Sequence, residues 1–170
     1  IANNLVLSNT TTSTTGVIMK GASRFIHNFK HPTGSTAVPN GNNIFLGIDS
    51  GNFTMGSTAT SVNQATNNIG VGSFTLQQVT TGANNIALGT NTLQVVTTGD
   101  HNFGAGTNTL MLLTTGSYNV AVGYSALNGI TASTQNTAIG FSAGRYIADG
   151  ATSFTNGSRN TYIGAEVRAS

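Results

Sequence analysis

The sequence predicts an all-β fold, a parallel β-solenoid of about 17 residues per coil, and three observations carry the prediction. An Asn followed four residues later by Gly recurs at Asn43, Asn68, Asn85, Asn102, Asn119, Asn136 and Asn160, in steps of 25, 17, 17, 17, 17 and 24. Within each block the larger side chains sit one and three residues after the Asn, as in Ile69/Val71, Ile86/Leu88 and Val120/Val122, which is the period of a short strand. Thr-Thr-Gly then returns at 80–82, 97–99 and 114–116 and marks a turn.

Taken in order, residues 1–42 read as a lead-in segment with irregular strands, and residues 43–170 as the repeat domain. The first block, Asn43-Ile-Phe-Leu-Gly47, is separated from the second by an insertion near 51–66. Four uninterrupted 17-residue steps follow, and a second insertion near 146–159 precedes the last block, Asn160-Thr-Tyr-Ile-Gly164. Each unit reads as strand, Gly turn, second strand and Thr-Gly turn. Further apolar columns lie eight residues after the Asn (Leu76, Leu93, Leu110, Leu127) and eleven after it (Val79, Val96, Leu113, Ile130).

Seventeen residues are too few for a helix–turn–helix or leucine-rich repeat, whereas they suit one coil whose strands bond to the same strand one coil away. Identical residues then stack. Asn68, Asn85, Asn102, Asn119 and Asn136 are expected to form an amide ladder, and Gly72, Gly89, Gly106, Gly123 and Gly140 the turns beside it. The apolar pair is expected on the buried face. The residue between is small (Gly70, Ala87, Gly104, Ala121, Ala138), so its face is expected to lie close against another sheet or chain. A coil with so thin a core buries little apolar surface per ordered residue, which predicts an obligate oligomer.

Composition narrows the function. Charged residues make up 6% of the chain, against about 25% in an ordinary soluble domain, and from residue 32 to 144 the only acidic, basic or imidazole side chains are Asp49, Asp100 and His101. Lys20, Arg24, Lys30, Arg145, Arg159 and Arg168 lie toward the two ends without a dense cluster, so no nucleic-acid footprint is expected. There is no cysteine, hence no disulfide and no thiolate chemistry, and no run approaches the roughly 18 apolar residues of a membrane span. The chain opens on Ile1 without a visible signal peptide and is read as a fragment of something longer.

Catalytic and ligand-binding patterns are poorly served. The carboxylates are Asp49, Asp100, Asp149 and Glu166, and Asp49 and Asp100 stand three repeat steps apart, which suits turns better than a paired acid and base. His27 and His31 have the spacing of a helical metal pair, but Pro32 interrupts the segment and no third ligand is near, so a loop or strand end is expected. His101 precedes the repeat Asn, where other coils carry Asn84, Tyr118 and Gln135, and reads as a turn substitution. Gly70-Val-Gly72 and Gly104-Ala-Gly106 recur with the repeat and are not phosphate loops. No cofactor, metal or catalytic residue is assigned.

Asn119-Val-Ala-Val-Gly-Tyr-Ser-Ala-Leu127 and Asn136-Thr-Ala-Ile-Gly-Phe-Ser-Ala-Gly144 resemble the head repeats of trimeric autotransporter adhesins, and still more the Asn-Thr-Ala-Ile-Gly repeats of phage tail fibres. Arg24-Phe-Ile-His-Asn-Phe29 and the stretch from Asn43 to Met55 are similar to the segment leading into such repeats, so the resemblance covers roughly residues 20 to 164. It implies a left-handed β-roll, three chains intertwined or side by side as a homotrimer, and a rod or head for attachment on a virion or cell surface. The coils here are longer than those of adhesin heads, and nothing matches the self-cleaving chaperone that follows such repeats in some tail fibres.

The expected function is therefore a non-enzymatic segment of a phage tail fibre. A bacterial adhesin head, a purely structural spacer rod and an ice-binding solenoid using Thr90-x-Thr92 and Thr107-x-Thr109 are the alternatives, in that order. Expected partners are sister chains, other segments of the same fibre and a host-surface glycan or protein receptor, without nucleic acid or membrane insertion. Phe74, Tyr118, Tyr124 and Tyr146 are the candidate ligand contacts, because aromatic side chains at turns can stack on sugars.

Overall fold

A computed structural model describes residues 17–145 and 157–168. Nine short strands follow one another: β1 (Ile18–Lys20), β2 (Ser23–His27), β3 (Ile44–Leu46), β4 (Ile69–Val71), β5 (Ile86–Leu88), β6 (Phe103–Ala105), β7 (Val120–Val122), β8 (Thr137–Ile139) and β9 (Thr161–Ile163). They form one sheet in chain order, and no helix occurs among the described residues. β1 to β3 pair antiparallel, while β3 to β9 are all parallel and in strict register, with Ile69, Ile86, Phe103 and Val120 facing one another across successive pairs. The chain is thus all-β and solenoid-like, one coil per repeat.

The repeat Asn explains the register. Its Oδ1 accepts from both the backbone N–H and the side-chain amide of the next Asn: Asn102 from Asn119 at 3.0 and 3.0 Å, Asn119 from Asn136 at 3.0 and 3.1 Å. The second Nδ2 hydrogen goes to the carbonyl of the Thr-Thr-Gly turn one coil on, Asn85 to Gly99 at 2.8 Å and Asn102 to Gly116 at 2.9 Å. From Asn85 through Asn136 two donors and two acceptor sites are all used, so these side chains lie buried without an orphaned polar group. A one-residue slip would break every one of these bonds.

The Gly four residues after the Asn is required twice over. Gly106 holds φ 134°, and a Cβ there would lie 2.5 Å from the carbonyl oxygen of Gly123 in the next coil. Only glycine combines that conformation with so close an approach.

The strand faces are the reverse of the sequence expectation. The small residue points inward: Ala87, Ala121 and Ala138 are fully buried, and a Cβ on Gly104 would meet Thr92 Cγ2 at 2.6 Å. The larger pair points out, with Val71 and Leu88 each 37% exposed and Ile139 44%. The inner space is narrow because the opposite wall already supplies Leu76, Leu93, Leu110 and Leu127 with Val79, Val96, Leu113 and Ile130, all fully buried as their columns predict. Large residues on both walls would overfill it.

That opposite wall is not the second strand anticipated. Leu76, Leu93, Leu110 and Leu127 adopt left-handed φ of 49–51°, and the wall turns back on itself through Val96 N–H to Leu93 O and Ile130 N–H to Leu127 O, both 3.4 Å. It still bonds coil to coil, Leu93 N–H to Thr109 O and Leu110 N–H to Ala126 O at 3.1 Å, while Thr80, Thr97 and Thr114 bond sideways to the next turn at 3.0–3.1 Å. Left-handed leucine costs about 1–2 kcal/mol, an amount that burying its side chain offsets.

The first and last described coils of the parallel stack are filled differently from those between them. In the small-residue column the terminal coils carry Phe45 and Tyr162, both buried. Phe45 stacks on His27, and Phe29 and Phe53 pack beside them with ring centroids 4.8–5.0 Å apart. The insertion at 51–66 is bound in: the Ala59 carbonyl accepts from Ser35 and Thr36, and Gly56 N–H donates to Thr80 O. The second insertion lies largely outside the described residues.

Candidate functional site

Because the strands alternate, everything that points out of β3–β9 forms two parallel columns. One runs Ile44, Ile69, Ile86, Phe103, Val120, Thr137, Thr161, and the other Leu46, Val71, Leu88, Ala105, Val122, Ile139, Ile163. Two threonines are their only polar members. Exposure reaches 56% at Ile44 and 67% at Ile163. With strands about 4.8 Å apart, the six steps give a ribbon roughly 29 Å long. Most surface-exposed sheets break such a run with polar side chains, and this one does so only at Thr137 and Thr161.

Polar and aromatic columns flank the ribbon. On one side lies the residue before each Asn: Asn67, Asn84, His101, Tyr118, Gln135 and Arg159, all exposed and all with φ of 57–63°. Neighbours pair along this edge: Asn67 Nδ2 donates to Asn84 Oδ1 at 3.2 Å, His101 stacks on Tyr118 at 4.9 Å, and Arg159 Nε donates to Gln135 Oε1 at 3.0 Å. On the other side Tyr124 stacks on Phe141 with centroids 5.5 Å apart and planes 10° from parallel.

The four aromatic residues chosen from sequence do not make one site. Tyr118 and Tyr124 are exposed on either flank of β7, Phe74 is half-buried at a turn three coils away, and Tyr146 lies outside the described residues. Phe141 and His101, their stacking partners, were not singled out as contacts; the shared position 17 residues on is the signal that would have paired them.

His27, His31, Asp100 and Glu166 are engaged locally, and Asp149 lies outside the described residues. His27 is buried, receives the Phe29 N–H on Nδ1 at 3.3 Å and lies 2.7 Å through Nε2 from the Ser50 carbonyl, which requires the neutral ring with its proton on Nε2. His31 accepts the Gly34 N–H at 3.0 Å in a separate turn. Asp100 accepts the Ala83 N–H at 2.7 Å, and Glu166 pairs with Arg168 at 3.8 Å. Among the described residues no three His, Asp or Glu side chains gather as a metal site.

The Thr-x-Thr columns do not form a flat outer array. Thr92 and Thr109 are buried and donate inward to the Gly106 and Gly123 carbonyls at 2.5 and 2.6 Å, which leaves one exposed threonine, Thr90 or Thr107, per coil. The left-handed residue between them, Asn91 at φ 55° and Asn108 at φ 58°, breaks the alternation that the array needs. Set against protein-family models, curated proteins and solved structures, the chain matches none of them.

Proposed function

We propose that this chain is a non-enzymatic segment of a trimeric fibre, of the phage tail-fibre kind, that serves attachment at a host surface. The observation that carries the reading is the outward ribbon of β3–β9, twelve apolar residues and two threonines with no charge or amide in either column. Water-facing sheets carry alternating polar residues on their outer face, and this one does not. Sister chains with the same ribbon would cover it along its whole length, in keeping with the resemblance of Asn136-Thr-Ala-Ile-Gly140 to tail-fibre repeats. The inner face needs no such partner, since small side chains already close it within the chain.

Trimers also suit the low charge. With 6% charged residues, solubility rests on Thr, Ser and Asn at the turns, and hiding the ribbon removes the most aggregation-prone surface. Light scattering tests the reading: a mass about three times 17.3 kDa is expected, and a stable monomer would refute it. Binding to host cells by the assembled fragment then separates attachment from a spacer role, since a spacer binds none.

A further inference from the structure

A cavity of about 190 Å³ lies beside the first coil, lined by Asn28, Lys30, Asn40 and Asn42. It is smaller than the roughly 300–1,000 Å³ of sites for drug-sized ligands and suits a single sugar ring. Three carboxamides line it, with Asn40 Nδ2 also donating to Asn63 Oδ1 at 3.5 Å, and one ammonium offers charge.

The walls are held before any ligand arrives. Residues 27–30 alternate, so His27 and Phe29 are anchored in the aromatic plug while Asn28 and Lys30 face outward. Buried Asn43 ties the two sides together, its Nδ2 donating at 3.0 Å to the Phe29 carbonyl and at 3.0 Å to the Ala65 carbonyl. Asn40 N–H donates to Val62 O at 2.8 Å, and the Gly41 carbonyl accepts from Asn67 N–H at 2.9 Å. Gly41, at φ 78°, leaves its space to the Lys30 stem: a Cβ there would lie 2.9 Å from Lys30 Cβ and 3.2 Å from Cγ and Cδ. The stem is thereby laid flat against the backbone.

Charge and repeat both single this place out. The ion pair among the described residues joins Arg168 to Glu166, and no described carboxylate pairs with Lys30. In the regular coils the position of Asn40 is taken by Ala65, Gly82, Gly99, Gly116 and Ser133, so the amide is added only where the repeat begins.

We propose that this pocket binds the ring of an acidic sugar, with the Lys30 ammonium on the ring's carboxylate and Asn28, Asn40 and Asn42 on its hydroxyls. The proposal gives a ligand class to the attachment reading and rests on it for its use. Its residues come from one chain, so binding itself does not require the trimer. A charge-assisted contact is the strongest single interaction available here, and three amides around it select a hydroxyl-rich ligand over a bare anion.

The test is amide NMR of the full chain titrated separately with glucuronate, N-acetylneuraminate, glucose and inorganic phosphate, with mass by light scattering alongside. Saturable shifts confined to residues 28–30 and 40–43 are expected with one or both acidic sugars, and at least a tenfold weaker response with glucose. Which acid binds more tightly identifies the source, a uronic acid polymer or a sialylated surface. Lys30→Gln, which keeps part of the stem over Gly41, should weaken the acidic sugar at least fivefold with the spectrum otherwise unchanged. Equal binding of glucose, stronger binding of phosphate, no binding of either acid, or an unaffected Lys30→Gln variant would each overturn the proposal. A trimer that fails to bind either acid sinks this site alone, whereas a monomer that binds one sinks the trimer and spares the site.

Discussion

The regular coils from 68 to 140 and the lead-in from 27 to 55 solve the same problem with opposite materials. In the coils the inner face of each strand is Gly or Ala, and the neighbouring coil supplies the amide and carbonyl partners. In the lead-in β3 pairs with antiparallel β2 in place of another parallel coil, and His27, Phe29, Phe45 and Phe53 fill the space with rings. A ladder can be narrow where identical rungs continue, and rings fill it where the regular 17-residue repeat is interrupted. The same holds at β9, where Tyr162 takes the place of alanine.

The comparison is broken most severely at the glycine column. Gly106→Ala forces a Cβ to 2.5 Å from a backbone oxygen that cannot move without its coil, at a φ that alanine avoids. A loss of about 4 kcal/mol or failure to fold is expected in urea denaturation. Gly21→Ala, in the β1–β2 turn ahead of the lead-in, with φ 64° and nothing within 4 Å, should cost only about 1 kcal/mol.

Next comes the amide ladder. Asn102→Ala removes four hydrogen bonds and leaves the Asn119 N–H and the Gly116 carbonyl without their partners, while the Asn119 amide keeps only its bond to the Ser133 carbonyl. At about 1–3 kcal/mol for each orphaned buried group, a loss near 4 kcal/mol is expected by thermal or urea unfolding. Asn160→Ala, on the last rung and only partly buried, should lose about half as much. Equal losses at both positions would mean that the ladder does not work as a chain of shared acceptors.

Phe45→Ala tests the plug. A fully buried ring packed on His27 should cost about 3 kcal/mol in urea unfolding, and the loss should fall on the lead-in before the regular coils, as hydrogen exchange would register. Smallest is the effect of pH at the other end. Burial holds the Tyr162 phenol above its ordinary 10.0. The folded state therefore keeps this proton more firmly than the unfolded chain. Stability is untouched below about pH 10 and falls as pH rises past that value and through the folded pKa, so Tyr162→Phe should flatten the alkaline limb of the unfolding curve.

Much of this was legible in the sequence, and the part that was not has a definite cause. Four identical steps of 17 fixed the coil, its register and the Asn ladder, because only in-register stacking makes Asn85 and Asn102 equivalent. The buried columns of Leu93 and Val96 followed from the same arithmetic. The direction of the strand did not. Period two states that Ile86 and Leu88 share a face and Ala87 has the other, but which face is inner depends on how much room the opposite wall leaves. That wall was misjudged as a strand, since no letter shows that Leu93 sits at φ 51°. Phe45 and Tyr162 hold the clue: bulky residues stand in the small-residue column only in the first and last described coils, beyond the two insertions. The Asn28–Lys30–Asn40–Asn42 cavity was hidden for a simpler reason, because it joins segments ten residues apart through one buried side chain, Asn43.

On the proposed function the two faces of a single strand have different covers, the inner one within the chain and the outer one supplied by sister chains. The chain has no cysteine, so one thiol at a time can be placed and its labelling rate read directly. In the single chain Val120 is 38% exposed and Ala121 is fully buried. With Val120→Cys in protein of parental mass, protection close to that of Ala121→Cys is predicted for as long as the fold persists. Labelling of Val120→Cys as fast as an exposed thiol, in folded protein, would contradict it.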